Sequence, residues 1–298
     1  MTPYEQQALK EIHKWKHPDL TLGRKALQLL HKPVEFVGGA VMDAPLVGDA
    51  IKSSVSGIIN VCNDIASSTV RREVIYKEFR ADGYLEVHTL HDIQSLGLEQ
   101  VDRVVGRLDT KYKLLALGEG VATGAIGVLG MAVDIPALIA MNLRVISEYA
   151  TYYGFDSSAQ EERVFAMNVL GLASSPSDAS KAVAMAQLVR IAKEVAQKRT
   201  WEQLEKHVMV KVIQEISKAL GIRLTKAKLA QTVPVVGAAV GGGFNAYFTS
   251  NVCLAAGYLY RERFLARKYG SEVIEITVPP MGMDGLNFGS EFDGYDLG

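Results

Sequence analysis

Cysteine is nearly absent from this chain. Its 298 residues hold two, Cys62 and Cys253, both in apolar surroundings. Two such residues supply neither a disulfide framework nor a zinc knuckle, and they point to a reducing compartment. Net charge is missing as well: at −1, the chain has no global field to draw in nucleic acid. Short catalytic signatures are also lacking. There is no G-x-S-x-G elbow, no HExxH and no P-loop, and Gly118-Glu119-Gly120 runs on to Thr123 and Gly124 inside an uncharged stretch, which does not fit GxGxxG. The opening MTPYEQQALK has no apolar secretory core. Together these gaps favour a cytoplasmic protein and weaken an enzyme assignment; they suggest no cofactor, no metal and no nucleic acid.

What the chain does have is apolar helix. Hydrophobic residues make up 48% and charged residues 22%, and the length allows one sizeable core. The organising stretch runs from Gly118 to Tyr153 and carries no charge between Glu119 and Asp134. On a helix, Gly120, Gly124, Gly127, Met131 and Asp134 fall within roughly 80° of one another. Each interior glycine costs about 1 kcal/mol, so this lane forms a helix only if a neighbour packs into it. Residues 34–66 are a similar Gly-rich apolar block, and Asp43-Ala44-Pro45 echoes Asp134-Ile135-Pro136. Pro-started, Gly-lined helices that pack on one another are therefore expected. Asp134 reads first as the cap of a helix beginning at Ile135. It reads second as a carboxylate in a cleft formed where the helix breaks, with Glu119 as its partner. Arg144 and Asn245 would then stabilise developing charge.

Other segments place the remaining helices. Thr2-Pro3-Tyr4-Glu5 is a capping box, TVRREVIYKEFRADG is a helix closed by Gly83, and Gly154 caps the end of the organising stretch. Ser158 to Glu161 form a second capping box, opening a helix through Val169. His13 and His17 are four apart and His88, His91 and Asp92 are close, but neither set completes a coordination sphere; a solvated helix end and a helix start explain them better. Residues 181–220 read as a basic helical hairpin. The longest uncharged run, Leu229 to Tyr260, is diluted by Gly237, Gly241 and polar residues, so it reads as a buried central helix that touches lipid rather than a secure span. After Arg261 the helix fades, and SEVIEITV alternates like a short strand. The tail beyond it, with Phe288, Phe292 and Tyr295 among acids, is disordered and docks a protein partner at most.

Three pieces in order resemble the EcsC family: Gly118-Glu119-Gly120 with its glycine ladder into Asp134-Ile135-Pro136, then Tyr153-Gly154-Phe155-Asp156, then Pro234-Val235-Val236-Gly237-Ala238 leading to Asn245. The resemblance covers about residues 30–270. It implies a bacterial helical protein, with a namesake encoded beside the subunits of an ABC exporter, and some members labelled hydrolases or peptidases; it implies no catalytic residues. The expectation is an all-α fold: one helical domain over 1–270 with Gly-rich central helices wrapped by amphipathic ones, followed by 271–298 as a short extended segment and acidic tail. The favoured function is a cytoplasmic, peripherally membrane-associated protein whose partner is a membrane surface or a membrane complex such as an ABC transporter. The alternatives are a hydrolase on an apolar substrate using Glu119, Asp134, Arg144 and Asn245, and an adaptor using the tail. Gly118, Gly120, Gly124, Gly127, Gly237 and Gly241 would form a packing or ligand lane.

Overall fold

A computed structural model describes residues 1–17, 53, 56–58, 70–106, 108–112, 114–115, 127–173, 217 and 237–274, with backbone alone for 127–134, 160 and 237–244. Among these residues the fold is all-α, with no strand. Helix α1 spans Pro3–Lys16. Thr2 Oγ1 accepts from Glu5 N at 3.2 Å while Glu5 Oε2 accepts from Thr2 N at 2.8 Å, the reciprocal cap expected from the sequence. Helix α2, Arg72–Ala81, is followed by Gly83 at φ 100°, and the short α3, Leu90–Ser95, opens on a Thr89–Asp92 capping box. Helix α4, Leu98–Val105, is followed by helical residues at 108–112 and 114–115. Then come α5 (Gly127–Tyr152), α6 (Gln160–Ala173) and α7 (Gly237–Tyr269).

Helix α7 is the spine of the core: it packs on α5, α6, α1 and α4. Its described stretch from Asn245 buries Phe248, Val252, Ala256, Leu259, Tyr260, Phe264 and Leu265. A buried central helix is what the uncharged run suggested, and no helix among the described residues is long and apolar enough to cross a membrane. Side-chain contacts fix the directions. A methyl on Gly257 would sit 3.6 Å from Tyr149 Cε1, and the Tyr153 and Phe264 rings lie 6.2 Å apart, so α5 and α7 run parallel. Helix α1 runs antiparallel to α7, pairing Glu5 with Lys268, Glu11 with Arg261 and Lys16 with Glu262. Helix α6 does the same, with Glu162 on Arg263 and Phe165 on Tyr260. The parallel pair brings the Gly-rich starts of α5 and α7 to one end of the bundle.

Four expectations change. Asp134 does not cap a helix starting at Ile135, and no break opens there: α5 continues through Pro136. Proline costs a helix one hydrogen bond, and here packing offsets that loss, because Pro136 lies so close to Gly57 that a methyl on Gly57 would overlap Pro136 Cγ. This contact also joins the first Gly-rich block to the second, as the repeated pattern suggested. Ser158 does not cap α6. Its N–H and hydroxyl both donate to Asp156 Oδ1, at 2.9 and 2.5 Å, and α6 begins at Gln160 and reaches Ala173 rather than Val169. Helix α7 does not fade after Arg261 but persists to Tyr269, held by Glu162, Glu262 and Arg263 in buried ion pairs. Finally, Ser271–Val273 form a 3-10 turn after Gly270 at φ 105°, where the start of a strand was expected.

Candidate functional site

Helix periodicity assembles one open cleft of about 450 Å³. Tyr4 and Glu11, two turns apart, project from one face of α1; Tyr149 and Tyr153 are one turn apart on α5. Helix α7 supplies the floor, with Ser250, Leu254, Gly257, Tyr258 and Arg261 along a single stripe, and Asp102 enters from α4. Asp102 is the hub. Its Oδ2 accepts from Tyr4 OH at 2.9 Å and its Oδ1 from Tyr153 OH at 2.7 Å. Arg261 Nε lies 2.9 Å from Oδ2, close enough for charge attraction but without an aligned N–H, and an Arg261 Nη1–H donates to Glu11 Oε2 at 3.2 Å. Burial pushes the Asp102 carboxyl above its ordinary range, against the opposing pull of Arg261 and the two phenols. Burial first and Asp102 second push Tyr4 up to about 12, and the same causes raise Tyr153, so both phenols stay protonated donors.

A second polar junction lies on α5. Glu148, with a side chain 7% exposed, receives Lys111 Nζ at 3.0 Å and Arg144 Nε at 3.4 Å. Both cations are about half in solvent, at 51% and 53%. One turn beyond Lys111, Leu114 and Leu115 are 64% and 49% exposed. Lys111 thus stands one turn from two exposed aliphatic side chains.

The Tyr153-Gly154-Phe155-Asp156 motif now has a physical meaning: it is the corner between α5 and α6. Gly154 turns the chain at φ 78°, and a methyl there would meet Leu90 O at 2.8 Å. Tyr153 reaches back to Asp102. Phe155 covers one side of the Arg263 guanidinium, 4.3 Å from its carbon, while Phe165 lies at 4.2 Å. Glu162 completes that cage, its Oε2 accepting from Arg263 Nη1 at 2.7 Å and its Oε1 from Nη2 at 2.5 Å. Asp156 binds Arg72 and Ser158.

The sequence-predicted site residues divide three ways. Gly118, Glu119, Gly120 and Gly124 lie outside the described residues, as do the basic hairpin apart from Ser217 and the tail. Gly127, Asp134, Gly237 and Gly241 are helical in backbone. Asn245 is buried on α7, with no hydrogen-bond partner for its Oδ1 among the described residues. The parallel register sets it level with the Asp134–Met141 part of α5, whereas Arg144 is half exposed and engages the buried Glu148. His13 and His17 have ring centroids 4.6 Å apart, and Asp92 is engaged by the N–H groups of His88 and Thr89 as a cap. No group of three or more metal-ligating side chains gathers among the described residues. Asp102, Tyr153 and Arg261 were missed by sequence reasoning. The one available signal was an acid and a base on the inward faces of strongly periodic helices.

Comparison with known proteins fits this architecture. The model of the EcsC protein family matches residues 6–265. The protein EcsC of Bacillus subtilis (strain 168) is 27% identical over 179 residues, 60% of this chain and 70% of that one. The uncharacterized protein YdbA of the same organism is 26% identical over 266 residues, 86% of this chain and 91% of its own. No solved structure matches. The family match spans most of the chain, including the α5–α6 corner and all but the first turn of α1 and the last turn of α7, and the chain belongs to the EcsC protein family.

Proposed function

We propose that this protein works at the cytoplasmic face of a membrane as a peripheral helical protein, serving an ABC exporter or another envelope complex. The observation that carries the reading is the exposed Leu114 and Leu115 one turn from Lys111, whose partner Glu148 also holds the half-exposed Arg144. Aliphatic side chains that enter the interface, flanked by cations at headgroup level, are the chemistry of reversible membrane docking. The test is co-flotation of purified protein with vesicles of anionic and of neutral lipid, at low and high salt. Binding to anionic vesicles that salt weakens but does not abolish is expected. Protein that stays at the bottom of the gradient with every lipid overturns the proposal. The hydrolase alternative through Glu119 and Asp134 finds less support, because Arg144 is engaged by Glu148; loss of a purified activity in Glu119→Gln and Asp134→Asn would revive it.

A further inference from the structure

Polar side chains borne on the core helices give their hydrogens to the preceding turn. Asn142 Nδ2 donates to Leu138 O at 2.7 Å, Asn168 Nδ2 to Val164 O at 2.8 Å, and Thr151 Oγ1 to Ser147 O at 2.8 Å. Acceptor oxygens have no such recourse, because the N–H groups of a helix interior are already bonded within the helix. Three acceptors on α5 and α7 have no hydrogen-bond partner among the described residues: Asn142 Oδ1, Asn245 Oδ1 and Thr249 Oγ1. Asn142 and Thr249 are 0% exposed and Asn245 is 2% exposed, on helices whose neighbouring Leu138, Ile139, Phe248 and Val252 are buried as well. Unbonded oxygens in such apolar surroundings are costly. Thr249 does not take the local solution that Thr151 takes, although it sits on the same kind of helix.

The register of the two helices brings these oxygens to one level. Tyr149 of α5 meets Gly257 and Cys253 of α7. Asn142 lies two turns before Tyr149 and so on the same face of α5. Because α5 and α7 run parallel, two turns back along α7 from Cys253 and Gly257 is the stretch of Asn245 and Thr249. The Thr249 hydroxyl would donate to either amide oxygen if it reached one, and it bonds to neither, so a link between them must pass through a third body. We propose that Asn142, Asn245 and Thr249 hold one small guest, shared between α5 and α7, that offers hydrogens or positive charge: a water molecule or a monovalent cation. Three polar partners are what a buried water takes, and neutral oxygens likewise replace the hydration shell of a monovalent ion. They carry no formal charge to balance a divalent ion, whose sites use carboxylates, and an anion would meet only repelling lone pairs at the two amide oxygens.

Thermal melts of the whole protein test this, with Thr249→Val, Asn142→Leu and the pair combined, in potassium, sodium and tetramethylammonium chloride at equal ionic strength. Valine keeps the shape of threonine and removes only the oxygen, so the sign of its effect is diagnostic. Where the hydroxyl holds a guest, Thr249→Val lowers Tm by about 2 °C or more. Where the hydroxyl is simply buried without a partner, the same change raises Tm, because an uncompensated polar group is lost. A guest shared between the helices is lost on the first substitution, so the combined variant falls by less than the sum of the two single ones. A Tm higher in potassium or sodium than in tetramethylammonium, with the difference gone in Thr249→Val, assigns the guest as a cation. The same Tm in all three salts, with the less-than-additive loss, assigns it as water. Both support the proposal. A Tm raised or unchanged by Thr249→Val, or strictly additive losses, overturns it. Should Asn142→Leu fail to fold, the sign of the Thr249→Val shift decides alone.

Discussion

Glu5 couples the N-terminal cap to the end of the spine helix, and its ionisation should be visible in the stability of the protein. Its Oε2 accepts from Thr2 N at 2.8 Å and from Tyr269 OH at 2.6 Å, while Oε1 receives Lys268 Nζ at 2.9 Å. Burial alone would raise this carboxyl; Tyr269, Lys268 and Thr2 outweigh it and bring the pKa from 4.5 down to about 2. The side chain is 1% exposed, so solvent screening removes little of the effect. Because the folded value is depressed, the stability it contributes is complete above the unfolded value of 4.5 and is lost as pH falls through about 2. At about 1.4 kcal/mol per unit, the contribution near neutral pH is on the order of 3 kcal/mol. In Glu5→Gln the amide oxygen can still accept from Thr2 N, so the cap persists and the charge alone is removed. Urea denaturation followed by far-UV circular dichroism should then show the variant less stable by about 2–3 kcal/mol near neutrality. The gap should close steadily once the pH drops below that of an ordinary carboxyl. A gap that stays constant down to strong acid would refute the assigned ionisation, and a gap near zero at neutral pH would refute the contacts themselves.

Other perturbations probe the corner, the core and the surface. Gly154→Ala combines a left-handed φ of 78° with overlap at Leu90 O, and should cost about 3 kcal/mol or more and lower Tm by roughly 5 °C. Gly83→Ala, at φ 100° with nothing within 4 Å, should cost only the conformational part, about 1–2 kcal/mol. Arg263→Met strands buried Glu162 and should lose about 3–5 kcal/mol in chemical denaturation, and adding Glu162→Met should recover most of that loss. In vesicle co-flotation Lys111→Gln should weaken binding about fivefold at low salt and not at high salt, since one cation near an anionic surface contributes about 1 kcal/mol. Leu114→Ala should weaken it about tenfold at either salt, because aliphatic burial is not screened.

The caps were legible because a cap is local: Thr2 with Glu5, Thr89 with Asp92, and the positive φ of Gly83 and Gly154 depend on residues within one turn. The all-α fold was legible in periodicity for the same reason. Asp134-Ile135-Pro136 misled, because an Asp two residues before a proline reads as a helix start; what overrides it is contact with Gly57, far away in sequence. Ser158 misled because Asp156, also local, competes for its hydroxyl. The Asp102 hub was illegible. Its partners Tyr4, Tyr153 and Arg261 come from three other helices and share no sequence spacing, so only the packed register reveals them.

That register also explains why charge is so unevenly distributed along α7. Helices α1 and α6 run against it, so their N-terminal turns, carrying Glu5, Glu161 and Glu162, meet its C-terminal part, carrying Arg263, Arg267 and Lys268. In each antiparallel pair the carboxylate lies at the positive end of one dipole and the cation near the negative end of the other, so the Glu5–Lys268 and Glu162–Arg263 pairs each gain from both helix ends. Helix α5 runs with α7, and no such exchange is available between those two. Their amide dipoles point positive the same way, toward the Gly-rich halves of both helices. Parallel dipoles side by side repel, and the close packing of α5 on α7 opposes that repulsion. The ion-paired end of the bundle therefore carries the electrostatic attraction between these helices, and the α5–α7 contact rests on packing instead.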